Sequence, residues 1–177
     1  MNIADYTIIR PEQLTDNVVD MISRQWMLIT SGTAESFNTM TASWGAIGFV
    51  WKHPVAFILV RESRYTFQFL QREQNFTLSV FEEKYRYALN ICGTKSGRDT
   101  DKVAEAGLTP MSLLSGMMAF GEARLVVECR VMFEQLMDTQ NFTTAFKEDI
   151  LASCYAKDAS RHHLFVGEIA NIYIKKQ

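Results

Sequence analysis

Two short stretches of the sequence combine basic and hydroxyl side chains. The first, RESRYT at 61–66, lies between a strong strand pattern and a helical pattern. Ser63 there predicts a helix N-cap, which would leave the backbone N–H groups of the first turn free. Guanidinium groups, hydroxyls and free N–H groups are the donors that bind a phosphate monoester. A capped helix with solvated arginines would show the same pattern. The candidate phosphate ligands are Arg61, Ser63, Arg64 and Thr66.

The second stretch, GTKSGRDTDK at 93–102, repeats this chemistry in a polar loop. A glycine at 97 lets the backbone turn its N–H groups toward an anion, with Ser96, Arg98 and Lys102 close by. The alternative is local: Asp99 would cap the next helix and pair with Lys102. The net charge of the chain is -2, so the two clusters stand out against a protein without a general basic field.

A third stretch, MTASWG at 40–45, alternates as a strand would. Short side chains along one face would let a flat heterocycle approach the backbone of the sheet. A strand that faces a crowded barrel interior would show the same pattern. The residues expected to support the strand from the core are Met40, Ala42 and Trp44. The residues expected on the ligand side are Thr41, Ser43 and Gly45.

Hydrophobic periodicity places these stretches on a mainly β chain with helical insertions. Strands are predicted at 27–30, 55–61, 75–81 and 163–175, and one or two strands each at 39–51 and 119–137. Helices are predicted at 11–23, 65–72, 84–92 and 146–154, with one more ending at Gly107.

Six or so strands with short helices between them predict an antiparallel β-barrel, closed or nearly so. A doubly wound α/β fold is disfavoured because the sequence has no glycine-rich dinucleotide or P-loop motif. No linker or repeat interrupts the chain, so residues 1–177 are expected to form a single domain.

Several function classes are disfavoured by what the sequence lacks. Cys92, Cys129 and Cys154 lie far apart, so neither a disulfide framework nor a zinc site is predicted, and a reducing cytoplasm fits best. Histidine spacing predicts no metal site, and the apolar runs are too short to cross a membrane. A barrel that binds single-stranded nucleic acid is an alternative, but the negative net charge argues against it.

Four motifs together resemble those of a known family. They are NTMTASWG at 38–45, PVAFILVRESRYT at 54–66, GTKSGRDTDK at 93–102 and HLFVGEI at 163–169. Their order and spacing resemble the flavin reductase-like, flavoredoxin-type proteins, which have an FMN-binding split barrel. The resemblance implies a Greek-key split β-barrel that forms a homodimer and holds FMN non-covalently near the subunit interface.

The resemblance also implies a role for particular residues. Those expected at the flavin ring and ribityl chain, largely through backbone groups, are Asn38, Thr39, Met40, Thr41, Ala42 and Ser43. Those expected on the phosphate side are Arg61, Ser63, Arg64 and Thr66, with Ser96, Arg98 and Lys102 completing the anion site. His163 is expected near the open face of the ring, as the candidate catalytic residue.

The resemblance implies an oxidoreductase in which bound FMN accepts hydride from NAD(P)H and electrons pass on to a flavin or another acceptor. The alternative is a flavoredoxin-like electron carrier that is reduced by a protein partner. The motifs SWG and SRYT are closer to flavoredoxin than to reductases that supply monooxygenases, so a dedicated oxygenase partner is not expected.

Overall fold

The computed structural model describes residues 2–158 and 160–176. The strands are β1 (Tyr6–Ile9), β2 (Met27–Gly32), β3 (Phe37–Ala42), β4 (Gly45–Val50), β5 (His53–Arg61), β6 (Asn75–Val80), β7 (Pro110–Ser112), β8 (Met118–Phe120), β9 (Leu125–Leu136) and β10 (His162–Lys175). The α-helices are α1 (Val18–Asp20), α2 (Tyr65–Glu73), α3 (Arg86–Thr94), α4 (Lys102–Glu105) and α5 (Thr144–Ile150). One wide helical turn follows α1 (Met21–Gln25) and another follows α5 (Leu151–Tyr155). Tight helical turns cover Ile3–Asp5, Pro11–Gln13, Glu83–Tyr85 and Thr139–Asn141.

One antiparallel sheet carries most of the fold. Its strand order is β3-β2-β6-β9-β10-β5-β4, and β1 also pairs with β10. The strands β7 and β8 form a separate hairpin. The consecutive strands β3 and β4 therefore lie at the two ends of the sheet path, joined only by Ser43 and Trp44. The chain crosses from one end of the sheet to the other within two residues.

The sheet is covered on both faces at β2, where all six residues are buried. Alternate β2 side chains enter different cores because successive residues of a strand point to opposite faces. Met27 and Ile29 join the larger core, together with Phe76 and Phe165. Leu28 joins a second core, which lies beneath α3 and the β7–β8 hairpin.

The expected mainly β fold with helical insertions is confirmed, and the predicted segments 39–51 and 119–137 each contain two strands. Two short strands, β1 and β7, were not predicted. The predicted helix at 11–23 is wrong in its first half, which is a tight turn at Pro11–Gln13. Helical structure starts only after Asn17, whose side chain accepts a hydrogen bond from the backbone N–H of Asp20 and so caps α1.

Gly167 lies in β10 where this strand passes over the buried ring of Phe76. A Cβ atom at this position would lie 2.6 Å from that ring and 2.9 Å from the Cβ of Cys129. The substitution Gly167→Ala is therefore expected to lower the free energy of unfolding by about 1–3 kcal/mol, the usual effect of overpacking a core. Gly48→Ala is the matched control, since its Cβ would have a single neighbour at 3.9 Å. Urea unfolding that shows equal stability for the two variants would contradict the prediction.

Candidate functional site

Two adjoining pockets open along β3 at the edge of the sheet. The edge pocket has a volume of about 260 Å³, and the basic pocket has a volume of about 210 Å³. Met40 and Arg64 line both pockets, so together they form one groove. The edge pocket is lined by Met40, Thr41, Ala42, Ser43, Trp44, Leu59, Arg61, Arg64 and His162. The basic pocket is lined by Asn38, Met40, Ser63, Arg64, Tyr65, Thr66, Thr94, Lys95, Ser96, Arg98, Lys102 and Asp158.

Aromatic side chains form one wall of the edge pocket. The rings of Trp44 and His162 are 5.3 Å apart, centroid to centroid. Nδ1 of His162 is hydrogen-bonded to the Tyr155 hydroxyl at 2.8 Å, which fixes the orientation of the imidazole. Burial, together with the positive charge of Arg61, lowers the pKa of His162 to about 4. The pocket is therefore bordered by a neutral imidazole at neutral pH.

Arg61 lies at the end of β5 and binds a single segment of the chain. Its guanidinium donates to the backbone carbonyl oxygens of Cys154, Asp158 and Ser160. It also lies over the Tyr155 ring, 4.9 Å from the centroid. We call residues 154–158 and 160 the strap. Since its donors are used to hold the strap, Arg61 contributes to the edge pocket as a wall and an anchor.

The basic pocket collects hydroxyl and cationic groups from two loops. Nη1 of Arg64 donates a hydrogen bond to the carbonyl oxygen of Gly93 at 2.8 Å, which connects the start of α2 to the end of α3. Arg98 lies over the Tyr65 ring at 4.8 Å and donates to the carbonyl of Ser63 at 3.2 Å. These contacts fix two guanidinium groups at the pocket without neutralising either charge.

Lys102 is the most informative cation of the pocket because it is only 4% exposed. Its Nζ donates to the carbonyls of Cys92 and Lys95 at 3.4 and 3.3 Å. Within residues 2–158 and 160–176, no carboxylate lies within ion-pair distance of this Nζ. Burial lowers the pKa of the ammonium group, since desolvation disfavours its charge. A buried cation without an acidic partner fits a pocket that receives an anion.

The loop that carries Ser96 and Arg98 approaches β3 closely at Gly97. A Cβ atom on Gly97 would lie 2.1 Å from the side-chain oxygen of Asn38. The amide group of Asn38 in turn donates to the Thr66 hydroxyl at 2.8 Å. The glycine therefore lets the loop contact β3, and it brings the two basic stretches of the sequence to one place.

Two helix caps differ from the sequence prediction. The N-cap of α2 is Arg64 and not Ser63, because a turn from Arg61 to Arg64 leaves Ser63 outside the helix. The Ser63 hydroxyl donates instead to the Asp158 carboxylate at 2.9 Å. Likewise, Asp101 and not Asp99 caps α4.

The predicted faces of MTASWG are correct only in part. Met40 and Ala42 are buried in the larger core, but Trp44 is 45% exposed and stands at the edge pocket. The Thr41 hydroxyl donates to the Leu89 carbonyl of α3, so it does not offer a free surface to a ligand. The pocket therefore meets β3 along its final residues and the link to β4.

Gly45 is required by strand packing rather than by a ligand. It adopts a φ of +152°, and a Cβ atom there would lie 2.5 Å from the backbone oxygen of Phe57 on β5. Any larger residue would push β4 away from β5. The absence of a side chain at this position therefore allows β4 to pair closely with β5.

Two of the residues expected at the site line neither pocket. Thr39 is fully buried, and its hydroxyl pairs with the hydroxyl of Thr30 at 2.8 Å. The His163 ring lies between Glu134 and Glu62, at 2.8 and 3.0 Å. The other expected residues line the groove: Asn38, Met40, Thr41, Ala42, Ser43, Arg61, Ser63, Arg64, Thr66, Ser96, Arg98 and Lys102.

Sequence reasoning missed His162, Leu59 and the exposed position of Trp44. His162 pairs with Arg61 in the β5–β10 ladder, and successive residues of β10 face opposite sides of the sheet. His162 therefore reaches the edge pocket, whereas His163 points the other way. The missing signal was the register of β10, because a shift by one residue exchanges the two faces of a strand.

No cluster of three or more His, Cys, Asp or Glu side chains in residues 2–158 and 160–176 is arranged to hold a metal ion. In the same part of the chain, no helix is long and apolar enough to cross a membrane.

Similar folds occur in several flavoproteins of known structure. The FMN-binding domain of a flavin reductases-like enzyme from Shewanella baltica OS155 has a TM-score of 0.69 at 12% identity, covering 96% of this chain and 77% of that one. Flavoredoxin of Desulfovibrio vulgaris (Miyazaki F) has a TM-score of 0.64 at 19% identity, covering 94% and 76%. An FMN-binding protein from Thermus thermophilus, solved with bound 1-cyclohex-2-enone, has a TM-score of 0.64 at 16% identity, covering 94% and 81%. At these identities the likeness shows the fold, and it confirms the expected split β-barrel class.

At the level of sequence, no curated protein matches the chain significantly. The sequence model of the Flavin reductase like domain family, in contrast, matches residues 19–177, which is nearly the whole chain. The chain belongs to the flavin reductase-like domain family.

Proposed function

We propose that this protein binds FMN non-covalently in the groove and acts as an FMN-dependent oxidoreductase with NAD(P)H as hydride donor. The observation that carries the proposal is the continuity of the two pockets along β3. The edge pocket, with its aromatic wall, adjoins the basic pocket. In the basic pocket the buried Lys102 has no carboxylate partner within the described ranges. FMN likewise has a planar ring at one end, which matches the edge pocket, and a phosphate at the other end, which matches the basic pocket.

The residues present fit FMN at both ends of the groove. The ring would lie in the edge pocket against residues 40–43, where the backbone of a sheet edge offers hydrogen-bonding groups. The ribityl chain would pass Asn38, and the phosphate would enter the basic pocket. Its ligands would be Ser63, Arg64, Thr66, Ser96, Arg98 and Lys102. Thr39 would contribute at most through its backbone, since its side chain faces away.

When bound, FMN supplies the hydride-accepting chemistry, and the protein supplies position and charge. Trp44 and His162 form the wall beside which a nicotinamide would have to approach the ring. The neutral imidazole of His162 adds a hydrogen-bonding group without placing a positive charge there. Because His162 and not His163 lines the edge pocket, we propose for His162 the role that was expected of His163. The reduced state would pass electrons to a flavin or to another small acceptor.

An electron carrier without nicotinamide activity is the second candidate. It is favoured by the likeness of the fold to flavoredoxin of Desulfovibrio vulgaris. In that case the groove would hold FMN in the same way, and the reductant would be another protein. The three cysteines are free thiols, and both candidates fit a protein of the reducing cytoplasm.

We also propose a homodimer with FMN near the interface. The support is an exposed aromatic surface close to the end of β4. Trp51 is 56% exposed and packs edge-to-face on Phe133 at 5.8 Å, and Phe49 in β4 is 69% exposed. Exposed aromatic clusters of this kind are typical of protein interfaces.

Reduction by nicotinamides separates the two candidates. Mixing the FMN-loaded protein with NADH or NADPH without oxygen is expected to bleach the flavin absorbance within seconds, because typical turnover exceeds about 1 s⁻¹. Anaerobic stopped-flow absorbance is the measurement. Bleaching by neither nucleotide, with FMN still bound, would leave the carrier function and exclude the reductase.

Substitution of Arg64 tests the phosphate assignment. Arg64→Ala is expected to weaken FMN binding by about ten- to a hundredfold, the effect of losing one hydrogen bond to a charged group. Arg72→Ala is the matched control, since Arg72 lies on the same helix, is paired with Glu73 and lies outside both pockets. Fluorescence titration with FMN measures both dissociation constants. Equal affinities would exclude Arg64 as a phosphate ligand.

The oligomeric state tests the aromatic surface. Sedimentation equilibrium of the wild-type protein is expected to give twice the chain mass, whereas Trp51→Glu is expected to give a monomer, because a buried charge opposes association. Tyr87→Glu serves as a control, as another aromatic that is 71% exposed. A wild-type monomer with full FMN occupancy would contradict the homodimer.

A further inference from the structure

The strap brings a carboxylate into the basic pocket. Asp158 lines that pocket together with Ser63, Arg64, Ser96 and Arg98. Every other charged side chain of its lining is a lysine or an arginine. An acidic group at this place is unexpected if the pocket serves only to attract a phosphate.

The Asp158 carboxylate uses one donor that a phosphate would use, the Ser63 hydroxyl. The Ser63 hydroxyl donates to Asp158 Oδ2 at 2.9 Å, and an Nη1 atom of Arg61 lies 3.7 Å from the same oxygen. The backbone N–H of Ser160 donates to Oδ1 at 2.9 Å. Hydrogen bonds from Ser160 and Ser63 lower the pKa of Asp158 to about 2, so the group is ionised throughout the neutral range.

We propose that Asp158 is a specificity-determining residue that occupies part of the phosphate site in the free protein and must be displaced when a phosphorylated flavin binds. The proposal rests on the proposed function, since it concerns the phosphate end of the same groove. Two anions would otherwise compete for Ser63 and repel each other at short range. The affinity for a phosphorylated ligand is therefore set below the value that the cations alone would give.

The strap does not depend on the carboxylate for its position. Arg61 holds it through three backbone carbonyls, and Tyr155 holds it through the hydrogen bond to His162. The Asp158 side chain is 46% exposed, so it can turn toward solvent while the strap stays in place. A side chain that served only to fasten the strap would duplicate these contacts.

The test compares ligands with and without the phosphate. Asp158→Asn keeps the size of the side chain and an acceptor for Ser160 N–H, and it removes the charge. We expect it to bind FMN about tenfold more tightly than the wild type, near the lower end of the effect of one hydrogen bond to a charged group. The affinity for riboflavin, which has no phosphate, should not change. Fluorescence titration with both ligands gives the dissociation constants.

Two further variants separate displacement from a general charge effect. Asp149→Asn makes the same change in net charge at an exposed residue of α5, outside both pockets, and should leave FMN affinity unchanged. In a Ser63→Ala background, Asp158→Asn should lose most of its gain, because no hydroxyl is then released to the phosphate. A full gain in that background would overturn displacement.

The remaining outcomes also decide the proposal. Unchanged or weaker FMN binding by Asp158→Asn, with a wild-type far-ultraviolet circular dichroism spectrum, would overturn it and leave the proposed function intact. An equal gain for FMN and riboflavin would overturn it as well. If neither the wild type nor Asp158→Asn bound FMN or riboflavin, the proposed function would fail together with it. FMN binding by Asp158→Asn alone would support both.

Discussion

The groove depends on one steric constraint, the close approach of β4 to β5 at Gly45. The backbone oxygen of Phe57 leaves no room for a side chain at this glycine, so β4 is held against β5 and away from β3. As a result, β3 ends the sheet path with one edge paired to β2 and the other edge facing the groove. Free backbone groups at a sheet edge need a partner, either solvent, another chain or a ligand. The site is thus first of all an unpaired strand edge whose position is fixed by packing elsewhere.

The positive charge of the basic pocket depends on how Arg64, Arg98 and Lys102 are held. Backbone carbonyls, which carry only partial charge, accept from Arg64, Arg98 and Lys102. The cations are thereby oriented without being neutralised, and burial makes the charge of Lys102 costly until an anion arrives. A salt bridge at each cation would have stabilised the free protein more and left less attraction for a ligand. The same balance explains why a net charge of -2 is compatible with a local anion site.

Sequence reasoning located the groove because its residues come in contiguous stretches with recognisable chemistry. The two basic stretches and the end of β3 meet in one groove, so local composition was sufficient to predict which stretches lie together. The prediction from sequence was wrong where a contact depends on residues that are distant in the chain. Ser63 was predicted as the cap of α2, but the turn from Arg61 to Arg64 leaves it outside the helix, and its hydroxyl donates to Asp158, 95 residues later in the chain. His162 and His163 could not be told apart without the β5–β10 register, which packing across the sheet determines.

The strap shows how one distant segment joins the two ends of the groove. Tyr155 contacts His162 at the edge pocket, and Asp158 contacts Ser63 at the basic pocket. Arg61 donates to the backbone carbonyls of Cys154 and Asp158 and also lines the edge pocket. Because Arg61 is the first anchor of the strap, its role differs from that of Arg64, although the two arginines stand three residues apart in one motif. The two arginines of the motif therefore differ in position: Arg61 orders one wall of the groove, and Arg64 lines both pockets.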